Sequence, residues 1–259
     1  MNAYEAARLI DISAVRTHHG LKDIQEVVDI AKKYKFINVH ALPSWTKTVA
    51  ELLKDEPDIY VGGPAGFPGG GHCTEIKVME AKRLLEDGAQ EIDVVMNVGK
   101  LKSGEYDYVE NELKEVLSVI PSNILTKVII EINCLTDEEM LKACELVIAS
   151  GADFVKTGTG WVPAPLDLER IRKIKDFTRG KIKLKVSGPF FCKSLLLPEL
   201  FYVHPLPSNT PENSSQQSCV LLRFSMVLLL SVDVSLVKQT VSALMLLNHP
   251  INYQQLPEP

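Results

Sequence analysis

Strand-like and helix-like runs alternate along residues 1–188, and the sequence predicts an α/β fold closed as a (β/α)8 barrel. Three observations predict it. Seven short β-rich runs are each separated by an amphipathic run with helical spacing, which calls for parallel strands and crossover helices. Asp11, His40, Asp93, Glu131, Lys156 and Lys185 fall at or near the C-terminal ends of separate strands, the face where such a barrel carries its chemistry. The first strand is not followed by the GxGxxG turn of an open dinucleotide-binding sheet. Seven strands by Lys185 also match the pace of an eight-unit barrel of about 250 residues.

The first strand is expected at Arg8–Ile12 and the first helix at Leu21–Tyr34. In that helix Leu21, Ile24, Val27, Val28 and Ala31 recur at three-to-four spacing and bury one face. Lys32, Lys33 and Lys35 complement the dipole at its end. A second strand at Phe36–Ala41 leads to a helix at Trp45–Asp55, and a third at Ile59–Gly62 to a helix at Thr74–Asp87, stopped by Gly88. Between them Gly62–Gly71 is glycine-rich but lacks the Gly-Lys-Ser/Thr ending of a phosphate loop, so an ordinary strand–helix connection is expected. Glu91–Met96 and Thr126–Ile132 flank a helix at Tyr106–Val119. Thr136 with Glu139 forms a capping box for a helix at Asp137–Ser150, which Gly151 ends. Strands at Asp153–Lys156 and Lys181–Lys185 enclose the last helix, Asp167–Thr178.

Composition changes sharply after Gly188. All 15 glycines lie at or before that residue, and residues 189–259 carry only seven charged side chains among many leucines, serines and prolines. The expected organisation is a barrel region, 1–188, and a low-charge, glycine-free C-terminal segment, 189–259, in place of the last strand–helix unit. No stretch of that segment reads clearly as an eighth strand. If it supplies one with a helix, the candidates are Cys219–Leu230 and Val232–Leu247. Residues 204–218 read as irregular. Arg223, Asp233 and Lys238 interrupt the longest apolar run, which argues against a membrane span.

A formal charge of −5 gives no general electrostatic reason to bind nucleic acid or an anionic membrane. Five cysteines without a CxxC pattern, behind an N-terminus with no basic flank and apolar core, fit reduced thiols in the cytoplasm. His18-His19 and His72-Cys73 lack a carboxylate partner at metal-site spacing and read as solvated loop residues, so no metal or cofactor is expected. His40 is open to two readings, substrate contact at the barrel mouth or a hydrogen-bonded structural histidine.

Lys156 ends an apolar strand, and a small-residue turn, Thr157-Gly158-Thr159-Gly160, follows. A lysine there is either solvated or salt-bridged, or a nucleophile whose pKa is lowered by desolvation and a neighbouring cation. A neutral amine can attack a carbonyl to form a Schiff base. Lys185, ending the next strand, is the candidate for that cation. Asp93 and Asp11 sit inside apolar strands, where a carboxylate needs a partner. Each is either half of a structural ion pair or part of a site that moves protons.

Taken together the motifs resemble the deoxyribose-phosphate aldolase family of Schiff-base (class I) aldolases, which are TIM barrels. The matching pieces are Leu9-Ile10-Asp11, Gly66-Phe67-Pro68, Glu91-Ile92-Asp93-Val94-Val95, Lys127-Val128-Ile129-Ile130-Glu131, Gly151-Ala152-Asp153-Phe154-Val155-Lys156-Thr157, and Lys185 with Ser187-Gly188. They stand in family order over about residues 5–188. The resemblance implies Lys156 as Schiff-base lysine, Asp93 as proton relay and Lys185 as the second lysine. It further implies Asp11, Thr159, Gly160 and Gly188 as substrate-binding positions. The implied reaction is reversible cleavage of 2-deoxy-D-ribose 5-phosphate to glyceraldehyde 3-phosphate and acetaldehyde, without a metal. The partner is that phosphorylated sugar, with a homo-oligomer as the assembly.

Two departures from the family pattern keep other readings open. Trp161 stands where a basic or small residue is expected, and Pro189 follows Gly188 where the family has a second glycine. Proline has no N–H to offer a phosphate. The Gly-rich loop after strand eight has no counterpart, since no glycine follows Gly188. The alternatives are another class I aldolase with a different substrate, and a catalytically impaired barrel.

Overall fold

A computed structural model of the chain describes residues 3–188 and 226–231. The expectations for residues 204–218, for Pro189 and for a helix over Val232–Leu247 lie outside the described residues. Eight parallel strands close into a barrel in sequence order: β1 (Ile10–Ala14), β2 (Asn38–Ala41), β3 (Tyr60–Ala65), β4 (Glu91–Val95), β5 (Leu125–Ile129), β6 (Phe154–Lys156), β7 (Lys183–Gly188) and β8 (Met226–Ser231). Around them run the main helices α2 (Leu21–Tyr34), α3 (Thr46–Leu53), α4 (Thr74–Glu86), α6 (Tyr106–Ser118), α7 (Asp137–Ser150) and α8 (Leu168–Thr178), with short helices α1 (Ala3–Ala7) and α5 (Val98–Lys102).

The expected alternation is present throughout residues 10–188, and α2 and α7 have the expected limits. Their ends follow local chemistry. Thr136 and Glu139 cap each other's backbone at the start of α7, and Gly151 ends it in the left-handed conformation. The strands shift slightly. β1 begins at Ile10 rather than Arg8, because the N–H groups of Arg8 and Leu9 bond back to the carbonyls of Tyr4 and Ala6 in the turn that ends α1. α1 and α5 have five residues each, too few to show a repeating apolar stripe, so sequence periodicity does not reveal them.

The eighth strand is a positive finding against a weak expectation. β8 lies in the glycine-free segment and bridges the two barrel edges, with Leu228 opposite both Ile10 and Val186. Its Met-Val-Leu-Leu-Leu-Ser run is the uninterrupted apolar pattern of a parallel strand. Such a run cannot be told from a buried helix segment by periodicity, which is why it did not stand out. Among the described residues no helix is long and apolar enough to cross a membrane.

The core lies between the barrel wall and the helices, where Ile12, Ile24, Val39, Ile92, Val94, Leu113, Val128, Met140, Val147, Ile171 and Ile174 are buried. One ion pair is enclosed there. Lys77 of α4 donates to Glu112 of α6 at 2.6 Å and to the carbonyl of Val95 at 2.9 Å, with no part of either charged side chain exposed. Burial pushes the lysine down and the carboxyl up. The pair ties α4 and α6 to the C-terminal end of β4, where the polar residues converge.

Candidate active site

Because side chains alternate along a strand, the inward-facing residues of the eight strands meet on the barrel axis. Here many of them are charged. Glu91 and Asp93 on β4 are two residues apart and share a face, and Asp93 stands opposite Lys127 on β5. Lys156 on β6 stands opposite Lys185 on β7, which places the two expected lysines side by side. Asp11, His40, Glu91, Asp93, Lys127, Lys156 and Lys185 are all buried.

These groups form one network in two levels. Below, Lys127 Nζ donates to Asp11 Oδ2 at 3.0 Å and to Glu91 Oε1, and Lys185 Nζ pairs with Asp11 Oδ1 at 2.5 Å. Above, Lys156 Nζ donates to Asp93 Oδ2. His40 joins the levels, with Nε2 2.9 Å from Glu91 Oε1 and 3.7 Å from Asp93 Oδ2.

Burial taxes every charge in this network, so the balance at each group depends on its neighbours. Burial pushes the Lys185 ammonium down to about 7 against the pull of Asp11, and the Lys127 charge adds to the depression. For Lys127 burial also opposes the charge, but Asp11, Glu91 and Asp93 outweigh it and hold the ammonium above its usual range. Asp93 is lowered to about 2: burial alone would raise it, and Lys156, His40 and Lys127 more than offset that. Asp11 is held well below the usual carboxylate range by Lys127 and Lys185, again against burial.

Asp11, His40 and Glu91 bring ligand-type atoms within 4.8 Å of one another, the one trio among the described residues with metal-site spacing. The space is already used by the Lys127 ammonium, which bonds both carboxylates. An ammonium and a metal ion cannot share those oxygens.

A narrow pocket that opens to solvent lies over the upper level. Its lining includes Ser13, His40, Asp93, Lys156, Thr159 and Gly160. Of the expected positions, Asp93, Lys156, Thr159 and Gly160 therefore face the pocket. Asp11 and Lys185 lie beneath it and do not line it, and they meet the pocket only through the charges above them. Gly188 ends β7 beside Ser187, which does line the pocket. The loop after β3 delivers Phe67 to the rim, as an ordinary strand–helix connection. Gly70 in that loop has φ +67, and an added Cβ would lie 2.1 Å from the carbonyl oxygen of Met96.

Trp161, the unexpected residue after β6, closes one side. Its ring meets Phe67 edge-on with centroids 5.9 Å apart, and its Nε1 donates to the carbonyl of Val15 at 3.1 Å. Arg16 lies over the same ring at 5.9 Å and donates to the carbonyl of Gly160 at 3.0 Å. A cation from the loop after β1 thus reaches the place where the motif lacks one.

Sequence reasoning quoted Lys127 and Glu91 but gave neither a place in the site. The signal was the one used for Asp93, a charged residue in an apolar strand. Glu91 opens β4, where a charge ordinarily meets solvent, whereas Lys127 stands in the middle of β5.

The sequence profile of DeoC/LacD family aldolases matches residues 10–188. The chain is similar to the deoxyribose-phosphate aldolase of Sinorhizobium medicae, 45% identical over 184 residues that cover 71% of this chain and 74% of that protein. It is 41% identical to the deoxyribose-phosphate aldolase of Klebsiella pneumoniae over 184 residues, 70% of this chain and 74% of the relative. Among solved structures, the tetrameric deoxyribose phosphate aldolase of Aeropyrum pernix superposes with a TM-score of 0.66 at 25% identity, covering 72% of this chain and 79% of that one. A polar barrel floor, a lysine at the pocket and a family match over most of its length place this chain in the DeoC/LacD aldolase family.

Proposed function

We propose that the chain is a deoxyribose-phosphate aldolase, cleaving 2-deoxy-D-ribose 5-phosphate reversibly to glyceraldehyde 3-phosphate and acetaldehyde through a Schiff base on Lys156. The observation that carries this reading is the pairing of Lys156 with Asp93 at the base of an open pocket, above a second, depressed lysine. Lys156 lines the pocket and Lys185 does not, so Lys156 is the amine a carbonyl can reach.

Lys156 gives up one proton and its amine attacks C1 of the open-chain sugar; a proton returns to the carbinolamine hydroxyl, which leaves as water, and an iminium remains. The iminium draws the electrons of the C2–C3 bond as the C3 hydroxyl gives up its proton. Glyceraldehyde 3-phosphate departs, and the remaining enamine is protonated at C2 and hydrolysed to acetaldehyde. Asp93 is the group placed to move these protons. Its Oδ2 holds the Lys156 ammonium, while its buried Oδ1 has no hydrogen-bond partner and remains an acceptor. Below, Lys185 adds positive charge to the floor, and Asp11 and Lys127 hold it in place. Thr159, Gly160 and Gly188 form the substrate-binding side together with Asp11, which acts from beneath.

Names of relatives at 41% and 45% identity support the substrate. The same reading makes the protein a cytoplasmic enzyme that needs no metal and assembles as a homo-oligomer, in line with the tetrameric relative from Aeropyrum pernix.

Borohydride trapping with acetaldehyde, followed by peptide mass analysis, tests the reading. A reduced adduct on Lys156, absent from Lys156→Arg, is the expected result, because a guanidinium forms no imine. An adduct on Lys156 without turnover of deoxyribose 5-phosphate would point to another class I aldolase. A folded protein with no adduct would identify an impaired barrel.

A further inference from the structure

Glu131 is buried, feels the charge of Lys156 but bonds Thr159 and no lysine, and the mechanism above leaves it unused. It follows β5 with φ 50 and ψ 63, a left-handed conformation that residues other than Gly, Asn and Asp seldom adopt. The residues on either side stay bonded to the neighbouring strand segment, Ile130 N to the carbonyl of Lys156 at 3.0 Å and Ile132 N to that of Thr157 at 2.8 Å. The turn at Glu131 thus interrupts no pairing and directs its side chain over the loop that follows Lys156.

There Glu131 Oε2 accepts the backbone N–H of Thr159 at 3.0 Å and also the Thr159 hydroxyl. Its other oxygen, Oε1, is buried and without a hydrogen-bond partner. Gly158 makes room for it, since a Cβ there would lie 2.8 Å from Oε1. Glu131 is only 5% exposed, and burial raises its carboxyl above the usual range. The carboxylate is held in this position at some cost, which a surface acid would avoid.

The consequence falls on Thr159. A threonine hydroxyl has one proton and two lone pairs. The proton goes to Glu131, and one lone pair takes the N–H of Trp161 at 3.0 Å. Thr159 lines the pocket three residues after Lys156, so what its hydroxyl offers a bound molecule is a single remaining lone pair. On the opposite side Ser187 Oγ accepts the N–H of Gly158 at 2.9 Å, which clamps the loop between β5 and β7.

We infer that Glu131 is a positioning residue: by taking the hydroxyl and amide protons of Thr159 it fixes that hydroxyl as an acceptor toward the pocket, and it governs binding of a hydroxyl-bearing substrate rather than imine formation. The inference rests on the reading of Lys156 as the imine-forming lysine. It separates two ligands by chemistry. Acetaldehyde has no hydroxyl to engage Thr159, whereas 2-deoxyribose 5-phosphate has two.

The test compares wild type with Glu131→Ala, Glu131→Gln and Thr159→Val. Two quantities are read: the rate of acetaldehyde–borohydride labelling of Lys156, and KM for deoxyribose 5-phosphate. Glu131→Ala is expected to raise KM about tenfold, the scale of one lost charge-assisted hydrogen bond, and to leave labelling within about twofold. Glu131→Gln keeps an acceptor oxygen and is expected to stay close to wild type in both. Thr159→Val should reproduce the KM change, and combining it with Glu131→Ala should add nothing, as for two residues acting through one contact. If Glu131→Ala does not fold, Thr159→Val and Glu131→Gln decide between them. Labelling and KM that worsen in parallel would reduce Glu131 to a structural role, and an unchanged KM in Thr159→Val would remove it from binding. An unlabelled wild type would overturn the aldolase reading itself, together with this inference.

Discussion

A single carbon added to Gly62 would lie 2.4 Å from Cε1 of the His40 imidazole, so these two residues on neighbouring strands share one volume. The glycine in β3 is what lets a histidine from β2 lie flat across the barrel and reach Glu91. Gly62→Ala is therefore expected to displace the ring and destabilise the fold by about 1–3 kcal/mol, the usual cost of overpacking. Urea unfolding of Gly62→Ala in wild-type and His40→Ala backgrounds checks it. The penalty should largely vanish when the ring is gone, and an equal penalty in both would mean that the ring is not what the methyl meets.

Lys127 balances two buried carboxylates, Asp11 and Glu91. Removing it leaves Asp11 with Lys185 and Glu91 with His40, one cation fewer for two carboxylates that are almost fully buried. Lys127→Met is expected to cost about 3–5 kcal/mol in denaturant unfolding at pH 7, far more than an average core substitution. A loss below about 1 kcal/mol would show that the ammonium is not what offsets these carboxylates.

Lys185 gives stability a defined pH dependence. Its folded-state pKa of about 7 lies below the ordinary value of 10.5. Between those values the unfolded chain holds a proton on Lys185 that the folded chain has released, so stability rises with pH across that window. Below about 7 both states are protonated and the contribution is flat. From pH 7 to pH 9, wild type should gain about 2 kcal/mol relative to Lys185→Met, measured by urea unfolding at each pH. Equal changes in the two proteins would mean that Lys185 keeps its ordinary affinity for protons.

Barrel closure depends on β8, whose backbone pairs with β7 on one side and β1 on the other. Proline at position 229 removes a ladder donor from a strand paired on both edges. Leu229→Pro should cost about 3 kcal/mol or more and speed hydrogen exchange in β1 and β7. Unchanged exchange at Ile10–Ala14 would show that β1 does not need this partner.

The candidate site is partly legible in the amino-acid sequence alone. Asp93, Lys156 and Lys185 stood out because a charge within an apolar strand has few inexpensive explanations, and β4, β6 and β7 bring all three inward. Lys127 and Glu91 carried the same signal without being read as part of the site. Lys127 meets Asp11 from 116 residues away, a separation over which one-dimensional pattern conveys no distance. The glycine behind His40 and the left-handed turn at Glu131 likewise become meaningful only beside what they touch.

By itself the sequence determined what local physics controls. Apolar spacing and capping residues set the alternation of strand and helix, and α7 begins at its capping box and ends at Gly151 as read. The run of polar strand ends set the face on which chemistry would lie. Tertiary structure decided what depends on closing the barrel. It made β8 from a segment with no distinctive strand signal, and it gave Lys127 to Asp11 and Glu91. It also sent Lys156 up to the pocket and Lys185 down beneath it. The reason is physical: propensity acts over a few residues, whereas desolvation and charge pairing act on whatever the folded chain brings within a few ångströms.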